Sequence, residues 1–95
     1  MSSVIDAAVA ALTPKFAQGF DGVVKFVISG EGAIMIDGAG IRAADEPADV
    51  TLTADADVFQ AILSGDTNPT AAFMQGKLVV DGDMGLAMKL GGALG

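Results

Sequence analysis

Carboxylates carry most of the chemistry that this sequence offers. The chain of 95 residues contains no Cys, His, Tyr or Trp, so a thiolate nucleophile, an imidazole base and the usual zinc ligands are absent. Asp81 and Asp83 are close enough in sequence to suggest a catalytic pair of carboxylates. A turn at Asp81-Gly82 followed by a helix cap at Asp83 explains both residues without catalysis. We therefore predict no catalytic residue and no enzyme.

A second acidic cluster resembles the donor set of a hard cation such as calcium, which takes several carboxylates from one loop. Its members are Asp45, Glu46, Asp49, Asp55 and Asp57. Their order does not match a calcium-binding loop, because Pro47 and a predicted strand separate them. Solvated surface explains the cluster, and we predict no metal site.

The segment GAGIRA at residues 38–43 matches the dinucleotide-binding pattern G-x-G-x-x-A. A true site needs a helix directly afterwards, with its N-terminus facing the pyrophosphate. Pro47 and the acidic residues before it leave room for barely one helical turn. The segment therefore predicts a hairpin turn, and we expect no cofactor.

The charge distribution excludes further classes of partner. The net charge is −7, and the five basic residues are scattered singly along the chain. No basic patch could neutralise a row of phosphates, so we expect neither nucleic-acid binding nor electrostatic docking to anionic membranes. The start, MSSVIDAAVAAL, has no basic residue and carries Asp6, which is not typical of a signal peptide. No apolar run approaches the roughly 20 residues that cross a bilayer, and we expect a cytoplasmic protein.

The hydrophobic periodicity predicts helices at both ends of a group of strands. A helix from about residue 3 breaks at Pro14, where Thr13 caps a second short helix. Alternation then replaces helical spacing, and the first three strands form an antiparallel meander. The predicted strands are 23–29, 33–37, 41–44, 49–53 and 77–81. The predicted later helices are 55–64, 69–76 and 84–90, the last of them stopped by Gly91-Gly92.

The C-terminal half of the chain, residues 49–90, resembles the sterol carrier protein 2 family of lipid-binding domains. The resemblance rests on the Ser-Gly and Asn-Pro pairs within 64–69, on AFMQGKL at 72–78 and on GDMGLAMKL at 82–90. The N-terminal half follows the family's order of elements, with a weaker likeness in FDGVVKFVISGEG. The chain ends in Ala-Leu-Gly and not in a tripeptide like Ser-Lys-Leu, so peroxisomal import by that signal is not expected.

The resemblance implies an α/β (α+β) fold in a single domain over residues 1–95. One five-stranded, mostly antiparallel sheet is covered by helices, and a hydrophobic tunnel lies between sheet and helices. The implied function is non-catalytic binding and carriage of an acyl chain, a sterol or a similar long apolar ligand, by a monomer or weak homodimer. This agrees with a sequence that supplies apolar walls and lacks catalytic groups.

The candidate ligand-binding residues are apolar positions from five predicted elements. We expect roughly half of them to be ordinary core, because such residues are usually buried. Met suits a wall that repacks around variable guests, although a Met and Leu stripe is more often plain core. The candidates are Phe26, Ile28, Ile34, Ile36, Phe59, Ile62, Leu63, Phe73, Met74, Met84, Leu86 and Met88.

Two interpretations remain open beside the carrier. The apolar surface around the last helix would suit a homodimer or partner interface, which predicts the same residues but no small guest. An enzyme that uses Asp81/Asp83 or Asp55/Asp57 is the weakest alternative.

In the carrier interpretation, the last helix is expected to act as a lid over one end of the tunnel, because it is short and contains Gly85.

Overall fold

The structure is a β-sheet with its helices packed on one face. The computed structural model describes the backbone of residues 3–94. The strands are β1 Val24–Ile28, β2 Gly32–Asp37, β3 Gly40–Ala43, β4 Val50–Ala54 and β5 Leu78–Gly82. The α-helices are α1 Ser3–Leu12, α2 Ala56–Ser64, α3 Pro69–Met74 and α4 Met84–Leu94, and a 3₁₀ helix, Thr13–Phe16, follows α1.

The five strands lie in the order β3-β2-β1-β4-β5. Neighbouring pairs are antiparallel at β1/β2, β2/β3 and β4/β5, whereas β1 and β4 are parallel. The predicted meander of the first three strands is confirmed, and so is the mostly antiparallel five-stranded sheet. Every predicted strand is present, and each of its ends differs by at most one residue from the expected one.

Alternation along the strands separates a buried inner face from an outer face. Val24, Phe26 and Ile28 of β1 are buried, and the residues between them are only half-buried. The register places Phe26 beside Ile34 of β2 and Leu52 of β4, so one apolar row crosses the sheet. Residues from the helices complete this core, among them Leu12, Phe59, Ile62 and Leu90, each at most 2% exposed.

The outer face is crossed by the connection between β3 and β4. Lys25, which alternation places on this face, contacts Asp45 of the connection through an ion pair of 2.8 Å. Arg42 bonds to Asp37 at 3.0 Å and to Glu46 at 2.8 Å. Met35 lies opposite Lys25 on the neighbouring strand and is only 1% exposed, although Ile34 and Ile36 beside it face the core. Met35 is thus a buried methionine outside the main core cluster.

Hydrogen bonding at the tip of the β2/β3 hairpin shifts two ionisation equilibria. The backbone N–H of Ala39 and then the guanidinium of Arg42 lower the pKa of the Asp37 carboxyl. Hydrogen bonds to Glu46 and to Asp37 raise the pKa of Arg42. The segment GAGIRA thus forms the turn and third strand of a hairpin, as predicted.

The helix break near Pro14 is confirmed, but the predicted role of Thr13 is wrong. The structure has the cap position of the 3₁₀ helix at Leu12, without a side-chain cap. The Thr13 hydroxyl instead donates to the carbonyl of Val9 at 2.6 Å. A Thr side chain can bond to the carbonyl four residues back, and here it does so instead of capping the next helix.

The last helix is longer than predicted: α4 continues through Gly91-Gly92 to Leu94. Glycine disfavours a helix by about 1 kcal/mol per residue, which a buried anchor can offset. Leu90, one residue before the pair, is fully buried. In the described part of the chain, no helix has the length and apolar character that spanning a membrane requires.

Gly82, at the end of β5, lies close to the backbone at the start of β4, and a substitution there tests this close packing. Its φ is +119°, and an added Cβ would collide with the carbonyl oxygen of Asp49 and lie 2.9 Å from Cα of Val50. We expect Gly82→Ala to lower the free energy of unfolding by about 3 kcal/mol or more. Gly76→Ala is the matched control, since its φ is +76° but nothing lies within 4 Å. Urea unfolding should show a loss of about 1–2 kcal/mol in the free energy of unfolding for the control. Equal losses in the two variants would contradict the packing argument.

Candidate functional site

An apolar cleft lies between α3, α4 and the inner face of strands β4 and β5. Its volume is about 220 Å³. The floor comes from the two strands, one wall comes from α3 and the opposite wall from α4. The lining residues are Leu52, Pro69, Thr70, Phe73, Met74, Leu78, Val80, Met84, Ala87, Met88 and Gly91.

The α3 wall is positioned by local hydrogen bonds. The Asn68 side chain accepts from the backbone N–H of Thr70 at 2.8 Å and so caps the helix, with Pro69 in its first turn, as predicted. The helix ends within six residues, and Gly76 with its positive φ of +76° turns the chain toward β5. Ala72 is fully buried and holds α3 on the core.

The α4 wall begins at the Asp-Gly-Asp turn. The Asp83 carboxylate accepts from the backbone N–H of Leu86 at 3.2 Å, which confirms its predicted role as a helix cap. Leu86 packs against the core, close to Gly22. Lys89 forms an ion pair of 3.1 Å with Asp21 and lies 5.6 Å above the Phe20 ring. These contacts hold one side of α4 against the 20–22 segment.

The other side of α4 faces α3 across the cleft. Met84, Met88 and Gly91 recur at helical spacing, so they share one face of the helix. Met88 is 70% exposed and Met74 of α3 is 80% exposed, so the upper walls are open to solvent. Leu52 and Leu78 on the floor are buried, and they also belong to the main core. The floor of the cleft is thus the outer boundary of the core beneath α3 and α4.

The chemistry of the cleft is that of a binding site for an apolar group. Thr70 is the one polar side chain among its lining residues, and none of them is ionisable. Such a lining offers apolar surface to a guest and no acid or base to a reaction. Asp81 and Asp83 lie at the exposed end of β5 and the start of α4, outside the lining. The arrangement can bind, orient and desolvate an apolar chain.

The two acidic motifs have other roles. Asp45 and Glu46 are ion-paired with Lys25 and Arg42 on the outer face of the sheet. Within residues 3–94, no three acidic side chains are grouped so that they could hold a metal ion. The groups with shifted pKa values, Asp37 and Arg42, also lie outside the cleft.

The structure divides the twelve predicted ligand-binding residues between the cleft and the core. Four of them line the cleft: Phe73, Met74, Met84 and Met88. Six are buried at 2% exposure or less, and Leu63 and Leu86 pack against that core. Phe26 and Phe59, for example, meet edge to face with their ring centroids 4.5 Å apart. Direct ligand contact by any of the twelve stays a prediction.

Seven lining residues were not among the sequence candidates: Leu52, Pro69, Thr70, Leu78, Val80, Ala87 and Gly91. The alternation along β4 places Leu52 on the inner face, so the sequence alone could have identified it as a lining residue. The register that pairs Leu52 with Val80 could not be known before strands β4 and β5 were aligned. Ala87 and Gly91 carried no signal, because small residues matter here through the space that they leave open.

Comparison with known proteins shows the family of this chain. A family model described as the SCP-2 sterol transfer family matches residues 6–95. The chain belongs to this family. Hydroxysteroid dehydrogenase-like protein 2 of Danio rerio is 40% identical over 87 residues, which cover 83% of this chain and 21% of that protein. Sterol carrier protein 2 of Homo sapiens is 52% identical over 54 residues, covering 56% of this chain and 10% of that protein.

The chain therefore spans about a fifth or less of the length of these curated SCP-2 relatives. Solved SCP-2 structures confirm the fold. Sterol Carrier Protein-2 from Aedes aegypti in complex with palmitate has a TM-score of 0.78 at 25% identity, over 99% of this chain and 96% of that chain. Palmitated SCP2L2 from the same organism has a TM-score of 0.66 at 27% identity, over 99% and 95% of the two chains.

The division between cleft and core can be tested with two phenylalanines. Phe59 is 1% exposed, so Phe59→Ala should lower the free energy of unfolding by about 3–5 kcal/mol. Phe73 is 40% exposed at the cleft wall, and Phe73→Ala should cost about 1 kcal/mol or less. Urea unfolding of both variants measures the difference. Equal losses would mean that Phe73 belongs to the core.

Proposed function

We propose that this chain is a non-catalytic lipid-binding domain, spanning residues 1–95, that holds an acyl chain, a sterol or a similar long apolar ligand. The observation that carries the proposal is the cleft between α3 and α4, whose lining has one polar side chain and no charge. Membership of the SCP-2 sterol transfer family and the palmitate complexes of two similar structures support it. The ligand enters with its apolar part along the floor and its polar head toward solvent.

Affinity in this proposal comes from buried apolar surface. Each Å² removed from water contributes about 25 cal/mol before the costs of ordering are subtracted. Met74, Met84 and Met88 supply flexible walls that adapt to guests of different shape. The cleft volume of about 220 Å³ is below the roughly 300–1,000 Å³ typical of ligand pockets. A long chain therefore requires the walls to separate further.

We propose α4 as the wall that moves and so acts as the predicted lid. It contains Gly85, Gly91 and Gly92, which disfavour a helix, and its ion pair from Lys89 to Asp21 is exposed, so Leu86 and Leu90 are its main attachments to the core. Displacement of α4 would extend the cleft past Leu52 toward the buried candidates, including Phe26 and Phe59. The proposed tunnel, and ligand contact by the six buried candidates, depend on this motion.

The remaining features of the proposal follow from composition and charge. The absence of His, Cys and Tyr from the sequence and of ionisable groups from the cleft supports binding without catalysis. The relatives' dehydrogenase-like names describe proteins of which this chain matches only a part. With a net charge of −7, the carrier is proposed to act in the cytoplasm as a monomer or weak homodimer, without nucleic acid and without electrostatic docking to anionic membranes.

Met88→Asp tests the cleft and its lid. A carboxylate introduced at this wall would have to be desolvated against the guest, so we expect affinity for a dansyl-labelled fatty acid to fall by about tenfold or more. Val79→Asp is the matched control, because Val79 is also an exposed apolar residue but lies on the opposite face of the sheet. It should leave the affinity unchanged. Circular dichroism checks the fold of both variants, and unchanged affinity in folded Met88→Asp would contradict the proposed site.

Native mass spectrometry of the protein purified from cells separates the carrier from the alternative interface module. A lipid mass that co-purifies with the monomer and disappears in Met88→Asp is the expected result. A ligand-free dimer that Met88→Asp dissociates would instead favour an interface at α4. The exposed Met84 and Met88 are common to both interpretations, so the mass of the complex is the deciding measurement.

A further inference from the structure

Methionine is distributed unevenly between the core and the cleft. The sequence has five methionines, and the structure describes the side chains of four. Met74, Met84 and Met88 are 80%, 44% and 70% exposed, and all three line the cleft. Met35 is 1% exposed and lies on the other face of the sheet, opposite Lys25 on the neighbouring strand. Among the methionine side chains that the structure describes, every exposed one therefore lines the cleft.

An exposed thioether is open to oxidation by a peroxide. In the reaction with hydrogen peroxide, the methionine sulfur attacks one peroxide oxygen, the O–O bond breaks and an S–O bond forms. The products are methionine sulfoxide and one water molecule, so sulfur is oxidised and the peroxide is reduced. Accessibility controls the rate, and the sulfoxide is reversible by methionine sulfoxide reductases. Met35 should react only when the protein unfolds.

Sulfoxide formation would change the cleft from an apolar wall to a polar one. A sulfoxide oxygen accepts hydrogen bonds from water. An apolar guest that removes this water without replacing the hydrogen bonds binds at a cost in free energy. The lining offers only the Thr70 side chain as a donor, so most of the new oxygens would have no protein partner. An unpartnered buried polar group weakens binding by about tenfold or more.

We propose that Met74, Met84 and Met88 form a peroxide-modified site, and that their oxidation to sulfoxides turns off ligand binding in the cleft. The second part rests on the proposed lipid-binding function. Leucine would supply similar apolar area without this chemistry, so the three methionines confer a sensitivity that the apolar wall itself does not need. Peroxide is the reactant, and the thioether sulfurs are the modified atoms.

The experiment combines peptide mapping with ligand titration. The full chain is treated with hydrogen peroxide, and the peroxide is removed before a dansyl-labelled fatty acid is added. Mass spectrometry of peptides should place sulfoxides at 74, 84 and 88 while Met35 stays unmodified. The treated protein should bind the probe about tenfold or more weakly than the untreated protein. Incubation with the two methionine sulfoxide reductases should restore it.

A triple variant, Met74→Leu, Met84→Leu and Met88→Leu, serves as the control. Only the ratio of affinities before and after peroxide is compared, so a changed starting affinity does not matter. That ratio should stay near one, because Met35 remains but is shielded. Circular dichroism of the treated wild-type protein checks its fold, and we expect a spectrum equal to that of the untreated protein.

The outcomes separate the two proposals. Untreated protein that does not bind the probe overturns the lipid-binding function, and the functional part of the oxidation proposal with it. Binding that survives sulfoxide formation at all three positions overturns the oxidation proposal alone. An equal loss of affinity in the triple leucine variant also overturns it. Sulfoxide at Met35 as early as at the cleft would contradict the selectivity that the structure predicts.

Discussion

The parallel pairing of β1 with β4 is the constraint on which the rest of the structure depends. Because β3 also runs parallel to β1, the chain must return along the sheet between the end of β3 and the start of β4. It does so across the outer face, where Asp45 and Glu46 bond to Lys25 and Arg42. This short return carries no helix and leaves the inner face to the four α-helices. All large apolar side chains of the helices can then pack on one side of the sheet.

The inner face is filled unevenly, and the cleft is the consequence. Over the centre of the sheet, large side chains interlock, as in the edge-to-face contact of Phe26 with Phe59. Over β4 and β5, α3 is only six residues long and α4 presents Ala87 and Gly91 to it. Small residues and a short helix leave space that close packing elsewhere does not. Flexible methionines border that space instead of closing it.

Particular residues show how far local pattern determines the fold. The alternation of Val24, Phe26 and Ile28, the Asn68-Pro69 start of α3 and the Asp83 cap of α4 were all predicted, because each depends on neighbours within a few residues. The prediction for Thr13 failed because its hydroxyl can either cap the helix that follows or donate to a carbonyl in the helix before it. In the structure it donates to the carbonyl of Val9. The end of α4 was misplaced because the burial of Leu90 is a tertiary contact that outweighs two glycines.

The sequence by itself determined the family, which the motifs within residues 49–90 already indicated. It also determined the local roles of several acidic residues, because turns and helix caps depend only on neighbours in the chain. Only the tertiary structure decided which apolar residues surround the cleft. Phe59 and Met88 look alike as members of apolar helical stripes, yet one is buried and the other is 70% exposed. The reason is that burial depends on strand register and helix packing between distant segments, which the local spacing of residues does not contain.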